Sequence, residues 1–191
     1  MSTKIRSASL IAAFAIAGTI SATATATAQP LDKGRFNDVF TEDFDCSGTP
    51  TQIHGDARVN FNIIQRGPGE VFFRQSVHGS NVFTNLNTGG TFTVLFSSTN
   101  RDAKVVDNGD GTLTVVTQGT LSNRWYDTNG NFVLHDSGQV RFQFLLDEMG
   151  TPDDPFDDEE IDGSFQVIRD VTGRFDTADR DFCSDLVQFT S

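Results

Sequence analysis

An alternation of apolar and polar residues, with a period of two, constrains the fold of this chain more than any other feature. It runs with interruptions from about residue 58 to residue 146, for example where Val59, Phe61 and Ile63 are separated by Asn60 and Asn62. Successive side chains of a β-strand point to opposite faces of the sheet, whereas an α-helix repeats every 3.6 residues or so. The pattern therefore predicts β-strands with one apolar face and one polar face.

Clusters of Gly, Asn and Asp separate the alternating segments at near-regular intervals, at residues 66–69, 87–90, 107–111, 127–130 and 136–138. The cluster at 107–111, Asp-Asn-Gly-Asp-Gly, is the strongest hairpin signal, because these residues accept the positive φ angles of tight hairpin turns. The spacing predicts about eight to ten strands of roughly five to ten residues each. Short helical turns are expected only near 36–40 and 177–181.

One hairpin after another favours an up-and-down antiparallel meander. A meander of this length usually closes on itself, because closure removes the unpaired edge strands. We therefore predict an all-β fold, a single antiparallel up-and-down β-barrel, with a β-sandwich as the alternative. Gly119, inside a long β-like stretch, is expected to mark a bulge or a bend.

The N-terminus has the three regions of a secretory signal peptide, which we assign to residues 1–28. Lys4 and Arg6 precede an apolar stretch at 10–20, and Ala26-Thr27-Ala28 provides a cleavage site. A membrane anchor is the alternative, but it needs about 20 apolar residues. We predict an extracellular protein without membrane insertion after cleavage, an N-terminal extension at 29–45 and a barrel domain at 46–191.

The charge of the chain is strongly acidic, with 14 basic and 26 acidic residues and a net charge of −12. Removal of the signal peptide takes away Lys4 and Arg6, so that 12 basic residues remain against 26 acidic ones and the net charge becomes −14. Such a total repels phosphate backbones, and we expect no nucleic-acid partner.

Cys46 and Cys183 are the two cysteines of the sequence. In an oxidising compartment a lone pair is most simply one disulfide, here joining the start of the domain to its end. A metal site or a catalytic thiol is the alternative, but the sequence has no Cys-x-x-Cys motif that would favour either.

Residues 147–162 form an acidic loop that interrupts the alternation, with nine acidic residues and two prolines. Its composition is typical of a solvated loop rather than a core strand. A calcium site is the alternative, and the best match to an EF-hand loop begins at Asp158. That match fails at its twelfth position, where Arg169 stands in place of the required Glu.

Candidate catalytic residues do not form a recognisable motif. His54, His78 and His135 lack the spacing of a zinc site, and no Gly-x-Ser-x-Gly elbow or phosphate-binding glycine motif occurs. Trp125 and Tyr126 are adjacent, so on a strand they should face opposite sides. We therefore predict no catalytic, cofactor-binding or metal-binding residue and no cofactor.

Three short runs carry a resemblance to a group of known proteins: residues 84–89 (Thr-Asn-Leu-Asn-Thr-Gly), 110–112 (Asp-Gly-Thr) and 117–119 (Thr-Gln-Gly). They resemble small secreted all-β proteins of actinobacteria, some of which are similar to calycin or allene-oxide-cyclase barrels. The likeness covers roughly Ile53 to Leu146. It implies a barrel and a secreted bacterial protein, and it implies no catalytic residue.

The 18 Phe residues are enough to fill a barrel core or to line an apolar cavity. Our leading expectation is a non-catalytic secreted protein that binds a small apolar or amphipathic ligand. An enzyme, either a barrel cyclase or isomerase or a carboxylate-dependent hydrolase, is the second possibility. A structural or interaction protein of the cell exterior is the third. The sequence does not indicate an oligomeric state.

Overall fold

A computed structural model describes residues 30–66, 70–151, 154 and 156–191. The predicted signal peptide at 1–28 lies outside these residues. Within them the elements are, in chain order, β1 (Pro30–Cys46), β2 (Thr49–Arg66), β3 (Glu70–Asn85), β4 (Thr91–Asp107), β5 (Thr112–Tyr126), β6 (Phe132–Asp147), β7 (Glu159–Glu160), β8 (Gln166–Phe175) and α1 (Phe182–Phe189).

The strands form one antiparallel sheet in which each strand from β1 to β6 pairs with the next along the chain. Both β7 and β8 pair with β6. The seven long strands curl into a half-barrel. The predicted all-β, antiparallel, barrel-like fold is thereby confirmed. Among the described residues β1 and β8 have no ladder with each other, so the curled sheet keeps two edges.

The strands β1 to β6 are 15 to 18 residues long, about twice the predicted length. The alternation continues through positions that were expected to break it. Residues 136–138, predicted as a turn, lie within β6 and pair with 121–123 of β5. Gly119 pairs regularly with Val140, and the register shift between β5 and β6 falls at Trp125/Tyr126 instead, where Val133 of β6 is the extra residue.

Strand β1 corresponds to the segment that the sequence analysis placed before the barrel domain, at 29–45. It pairs with β2 from Asp32 to Cys46, and the short helical turn expected at 36–40 is absent. The reason is that Phe36, Phe40 and Phe44 are four residues apart. A spacing of four suits one face of a helix and equally one face of a strand, and pairing with β2 selects the strand.

The inner face of the sheet carries aromatic rings that lie over glycines of neighbouring strands. Phe40 is directly opposite Gly55, and Phe96 is directly opposite Gly79. A Cβ atom at Gly55 would overlap the Phe40 ring, and one at Gly79 would lie 2.8 Å from Cζ of Phe96. Glycine thus gives each ring its space and lets the sheet bend towards its inner side.

The largest core cluster lies between the inner face and α1. Phe92, 1% exposed, stacks on Trp125 at 4.9 Å and on Phe189 of the helix at 5.2 Å. The helix begins after Asp181, whose carboxylate accepts a hydrogen bond from the Ser184 backbone N–H. This is an N-cap, which anchors the first turn of α1.

The predicted disulfide is confirmed. Cys46 at the end of β1 is bonded to Cys183 in the first turn of α1, with a Cα–Cα distance of 5.2 Å. It therefore joins the first strand to the helix rather than to the last strand. A second core cluster, at the other end of the sheet, is formed by Phe72, Val105 and Val115.

Candidate functional site

The outer face of the sheet presents a row of basic side chains. Strand register places seven residues side by side, one from each long strand, in a row that we call the basic row: Lys33, Asn62, Arg74, Arg101, Gln118, Arg141 and Arg169. The five cationic residues of the row are exposed. Because neighbouring strands are about 4.8 Å apart, the row measures about 29 Å from end to end.

Two neighbouring rows continue this surface towards α1. The second row is Arg35, Asn60, Ser76, Thr99, Thr120, Gln139 and Thr172, and the third is Asn37, Arg58, His78, Ser97, Ser122, Ser137 and Arg174. We call the three rows together the basic face. It holds eight of the twelve basic residues that follow residue 28, and no acidic or apolar residue occupies any of its positions.

One acidic residue borders the basic face on the side towards α1, and another lies within the face on its edge strand β8. Asp56 lies in the next row towards α1, opposite Val39 and Ser80. Asp170 lies in β8 between Arg169 and Thr172, where the register with β6 shifts, and it has no partner in that ladder. The face is therefore a predominantly cationic and polar patch on an acidic chain.

Like charges lie directly opposite each other at two places in the basic row. Arg74 pairs with Arg101 across β3 and β4, and Arg141 pairs with Arg169 across β6 and β8. Opposed like charges destabilise a sheet, and arginine keeps its charge at every pH that a protein encounters. The two opposed arginine pairs therefore lower the stability of the folded sheet across this pH range.

Acidic partners do not offset this cost. The ion pairs among the described residues are Arg174–Asp176, at 2.7 Å, and Arg180–Asp185. The side chains of the basic row form hydrogen bonds with glutamine amide groups instead: Arg101 donates to Gln118 at 3.0 Å, and Gln118 donates to Gln139 of the second row at 3.1 Å.

Two depressions on the surface of the described residues are small or open. One of about 10 Å³, the size of a water molecule, lies within the basic face and is lined by Gln118, Gln139, Val140, Arg141 and Arg169. Another, about 380 Å³ in volume and open to solvent, lies beside the Cys46–Cys183 disulfide. Neither brings a nucleophile and a base together.

The residues that the sequence analysis considered for chemistry do not converge. His54, His78 and His135 all belong to the outer face, but to three different rows. Trp125 lies in the core cluster, whereas Tyr126 contacts Phe132 with a ring distance of 6.0 Å. The two adjacent aromatic residues thus have separate surroundings, as predicted. Two buried polar atoms have no partner among the described residues: Nε1 of Trp125 and Oδ1 of Asn62.

The carboxylates of Asp102 and Asp136 are engaged in structural hydrogen bonds. Asp102 accepts from the Phe73 backbone N–H at 2.8 Å and from the Thr117 hydroxyl at 2.7 Å. Burial raises the pKa of Asp102 from its ordinary value, and these two hydrogen bonds oppose the shift. Asp136 accepts from the backbone N–H and the hydroxyl of Thr177. Both carboxylates therefore tie parts of the fold together.

The acidic loop lies beside the 107–111 hairpin, and part of it joins the sheet as β7. Partial burial, together with the neighbouring carboxylates Glu148, Asp157, Asp154 and Asp147, raises the pKa of Asp158 to about 6. Glu159 and Glu160 are extended and pair with β6, which is not the conformation of an EF-hand loop. The described residues contain no group of three or more His, Cys, Asp or Glu arranged to hold a metal ion.

The basic face was not predicted from the sequence, because the total charge of the chain is strongly negative. A net charge of −14 hides the segregation of eight basic residues onto one surface. The available signal was that Arg58, Arg74, Arg101 and Arg141 all fall on the polar phase of the alternation. Their positions side by side depend on strand register, which the sequence does not state.

The comparisons with known proteins identify no similar protein. It matches no model of a protein family, and searches among curated proteins and among solved structures find no match. The one helix within the described ranges is too short to cross a membrane. The function must therefore be inferred from the half-barrel and the surface it displays.

Proposed function

We propose that this protein is a secreted, non-catalytic binding protein whose working surface is the basic face. The observation that carries the proposal is the opposition of Arg74 to Arg101 and of Arg141 to Arg169 in a chain rich in acidic residues. Such pairs weaken the sheet. Binding of a ligand by these arginines explains the opposed pairs, because the pairs do not stabilise the sheet.

The place of action is inferred from two features. The N-terminal 28 residues have the pattern of a signal peptide. The Cys46–Cys183 disulfide is compatible with an extracellular protein. Both support a secreted protein, and the resemblance to secreted actinobacterial proteins agrees with a bacterial source.

The inner face supports the choice of the outer face as the working surface. Its rings fill the space above glycines of the same sheet, as Phe40 does at Gly55 and Phe96 at Gly79. Helix α1 covers the end near Phe92. An interior occupied by the protein's own side chains leaves the outer face as the larger accessible polar surface.

A second candidate is the binding of a small apolar or amphipathic ligand at the inner side. The observation that favours it is the exposure of apolar residues at the end of the sheet away from α1, where Phe73, Phe165 and Val167 are 39%, 46% and 49% exposed. Phe165 packs against Phe142 at 5.2 Å, so these residues could border an opening of the half-barrel.

Thermal melting with two kinds of probe separates the candidates, because a ligand that binds the native state raises the melting temperature. We expect soluble polysaccharides to raise it and the apolar dye anilinonaphthalene sulfonate to leave it unchanged. A rise with the dye that the variant Phe165→Ser abolishes, together with no response to any polysaccharide, would contradict the proposal in favour of the second candidate.

A further inference from the structure

We infer that the basic face binds a linear anionic polysaccharide, one that carries carboxylate or sulfate groups, laid along the basic row across the strands. The inference deepens the proposed function and rests on it. It names the class of ligand, and its evidence is the spacing of the cations, the side chains around them and the charge of the rest of the chain.

The spacing of the cations suits an extended polymer. The two arginine pairs, Arg74 with Arg101 and Arg141 with Arg169, are separated by Gln118. The distance between the midpoints of the two pairs is three strand spacings, about 14 Å. Lys33 stands two spacings, about 10 Å, beyond Arg74. A small anion would occupy one pair, whereas a polymer with repeated anionic groups can engage both pairs and Lys33.

The arginine pairs are suited to oxyanions. A guanidinium group presents a planar set of donors that matches the two oxygens of a carboxylate or sulfate. An anion placed between Arg74 and Arg101 would turn a repulsive contact into two attractive ones. The same holds for Arg141 and Arg169, which line the small depression of the basic face.

The other side chains of the face are suited to sugar hydroxyls. The second and third rows contribute hydroxyl and amide groups, among them Ser76, Thr99, Ser97 and Ser122. No Phe, Tyr or Trp occupies the three rows, so the stacking platforms that hold single-stranded nucleic acids are missing. No apolar side chain is available there for insertion into a lipid layer either.

The negative charge of the whole chain restricts polyanion binding to the basic face. A net charge of −14 after removal of the signal peptide repels a polyanion from most of the surface. Binding of a polyanion to this protein would therefore have to use this cationic patch. This also favours a flexible polysaccharide over a stiff, highly charged duplex that extends past the patch to acidic residues.

The test uses the protein without its signal peptide and measures binding to heparin fragments and to polygalacturonate by isothermal titration at several salt concentrations. The variant Arg101→Gln/Arg169→Gln removes one cation from each pair. Arg124→Gln is the matched control, because Arg124 is an exposed arginine on the outer face three rows, about 20 Å, from the basic row. Ser97→Trp places a bulky ring in the middle of the third row.

We expect the polyanions to bind, with an affinity that falls as salt rises. The double variant should bind about tenfold more weakly or worse, and Arg124→Gln within about twofold of the parent. Equal binding by the double variant and the parent, in protein whose melting curve shows it folded, would overturn the inference. So would tighter binding of a single-stranded oligonucleotide of thymidines or of phosphatidylglycerol vesicles.

Failure of the inference and failure of the proposed function give different results. Binding of neutral dextran that survives Arg101→Gln/Arg169→Gln but is lost in Ser97→Trp would overturn the anionic class of ligand and keep the outer face as the working surface. Absence of binding to every polymer, with a dye-induced rise in melting temperature, would overturn both.

Discussion

The two faces of this sheet are built from the same strands, but their side chains are arranged differently: those of the inner face are complementary, and some of those on the outer face repel each other. On the inner face, large rings meet glycines and each contact fills space, as at Phe96 and Gly79. On the outer face, cations meet cations, as at Arg141 and Arg169, in a chain that has acidic residues to spare. Adjacent residues of one strand, Arg101 and Asp102, thus belong to an exposed charged surface and to a hydrogen-bonded interior.

The difference between the faces indicates what each is for. Side chains of the inner face are complementary to each other, so their arrangement is explained by folding. The arrangement of the outer face weakens the fold, and its cost is not relieved by any ion pair within the basic row. Substitutions of the packed rings on the inner face and of the opposed arginines on the outer face should therefore change stability in opposite directions.

The largest effect is expected at the centre of the core cluster. Phe92→Ala removes a ring that is 1% exposed and stacks on Trp125 and Phe189, and should lower the free energy of unfolding by about 3–5 kcal/mol. Urea denaturation followed by Trp125 fluorescence measures it. Thr93→Ala, the next residue on the outer side, should stay within about 1 kcal/mol. An equal decrease in the free energy of unfolding for both variants would contradict the proposed difference between the two faces.

A smaller effect is expected where ring and glycine meet. Gly79→Ala places a Cβ atom against the carbonyl of Asp56 and near the Phe96 ring, and should cost about 1–3 kcal/mol. The same denaturation experiment on Ser80→Ala, one residue further on the outer face, provides the control. A Gly79→Ala protein as stable as the parent would show that the close contact of ring and glycine is not required.

The inner face also predicts a pH effect at Asp102. Burial raises its pKa in the folded state above the ordinary value of 3.8, so the folded protein binds this proton more tightly than the unfolded chain. The contribution of Asp102 to stability is therefore greatest at low pH and is lost as pH rises through the raised pKa. Asp102→Asn removes this loss, so the variant should gain stability relative to the parent as the pH rises above 3.8, the ordinary pKa of this carboxyl group. Parallel stability–pH curves for the two proteins would contradict it.

The smallest effect is a gain on the outer face. Arg141→Glu replaces a repulsive partner of Arg169 by an attractive one and should raise the free energy of unfolding by about 0.2–1 kcal/mol at low salt. The gain should shrink as salt is added, because exposed charges are screened. Arg124→Glu, outside the basic face, is the control. A loss of stability on Arg141→Glu would indicate that this arginine supports the fold.

The period-two alternation and the Gly, Asn and Asp clusters were sufficient to predict the strands and the hairpins at 87–90, 107–111 and 127–130. Two predictions about the ends of the domain had different outcomes. The Cys46–Cys183 disulfide followed from composition and compartment. Strand β1 was missed, because Phe36, Phe40 and Phe44 have a spacing that fits helix and strand alike.

The candidate site was not predictable from the same pattern. Arg74, Arg101, Arg141 and Arg169 are separated by 27 to 40 residues in the chain, and only the register of four ladders brings them into one row. A shift of one strand by a single residue would move its cation to the other face. Total charge pointed away from an anionic partner, because it averages the basic face with the acidic turns and loop.

The most direct test of this account is the unfolding free energy of one variant in which Arg74, Arg101, Arg141 and Arg169 are all replaced by Gln. If the basic face serves binding rather than folding, relief of two repulsive pairs should leave urea-induced unfolding unchanged or raise the free energy of unfolding by up to about 2 kcal/mol. A loss of more than about 2 kcal/mol would show that the arginines hold the sheet together, and would contradict the division between its two faces.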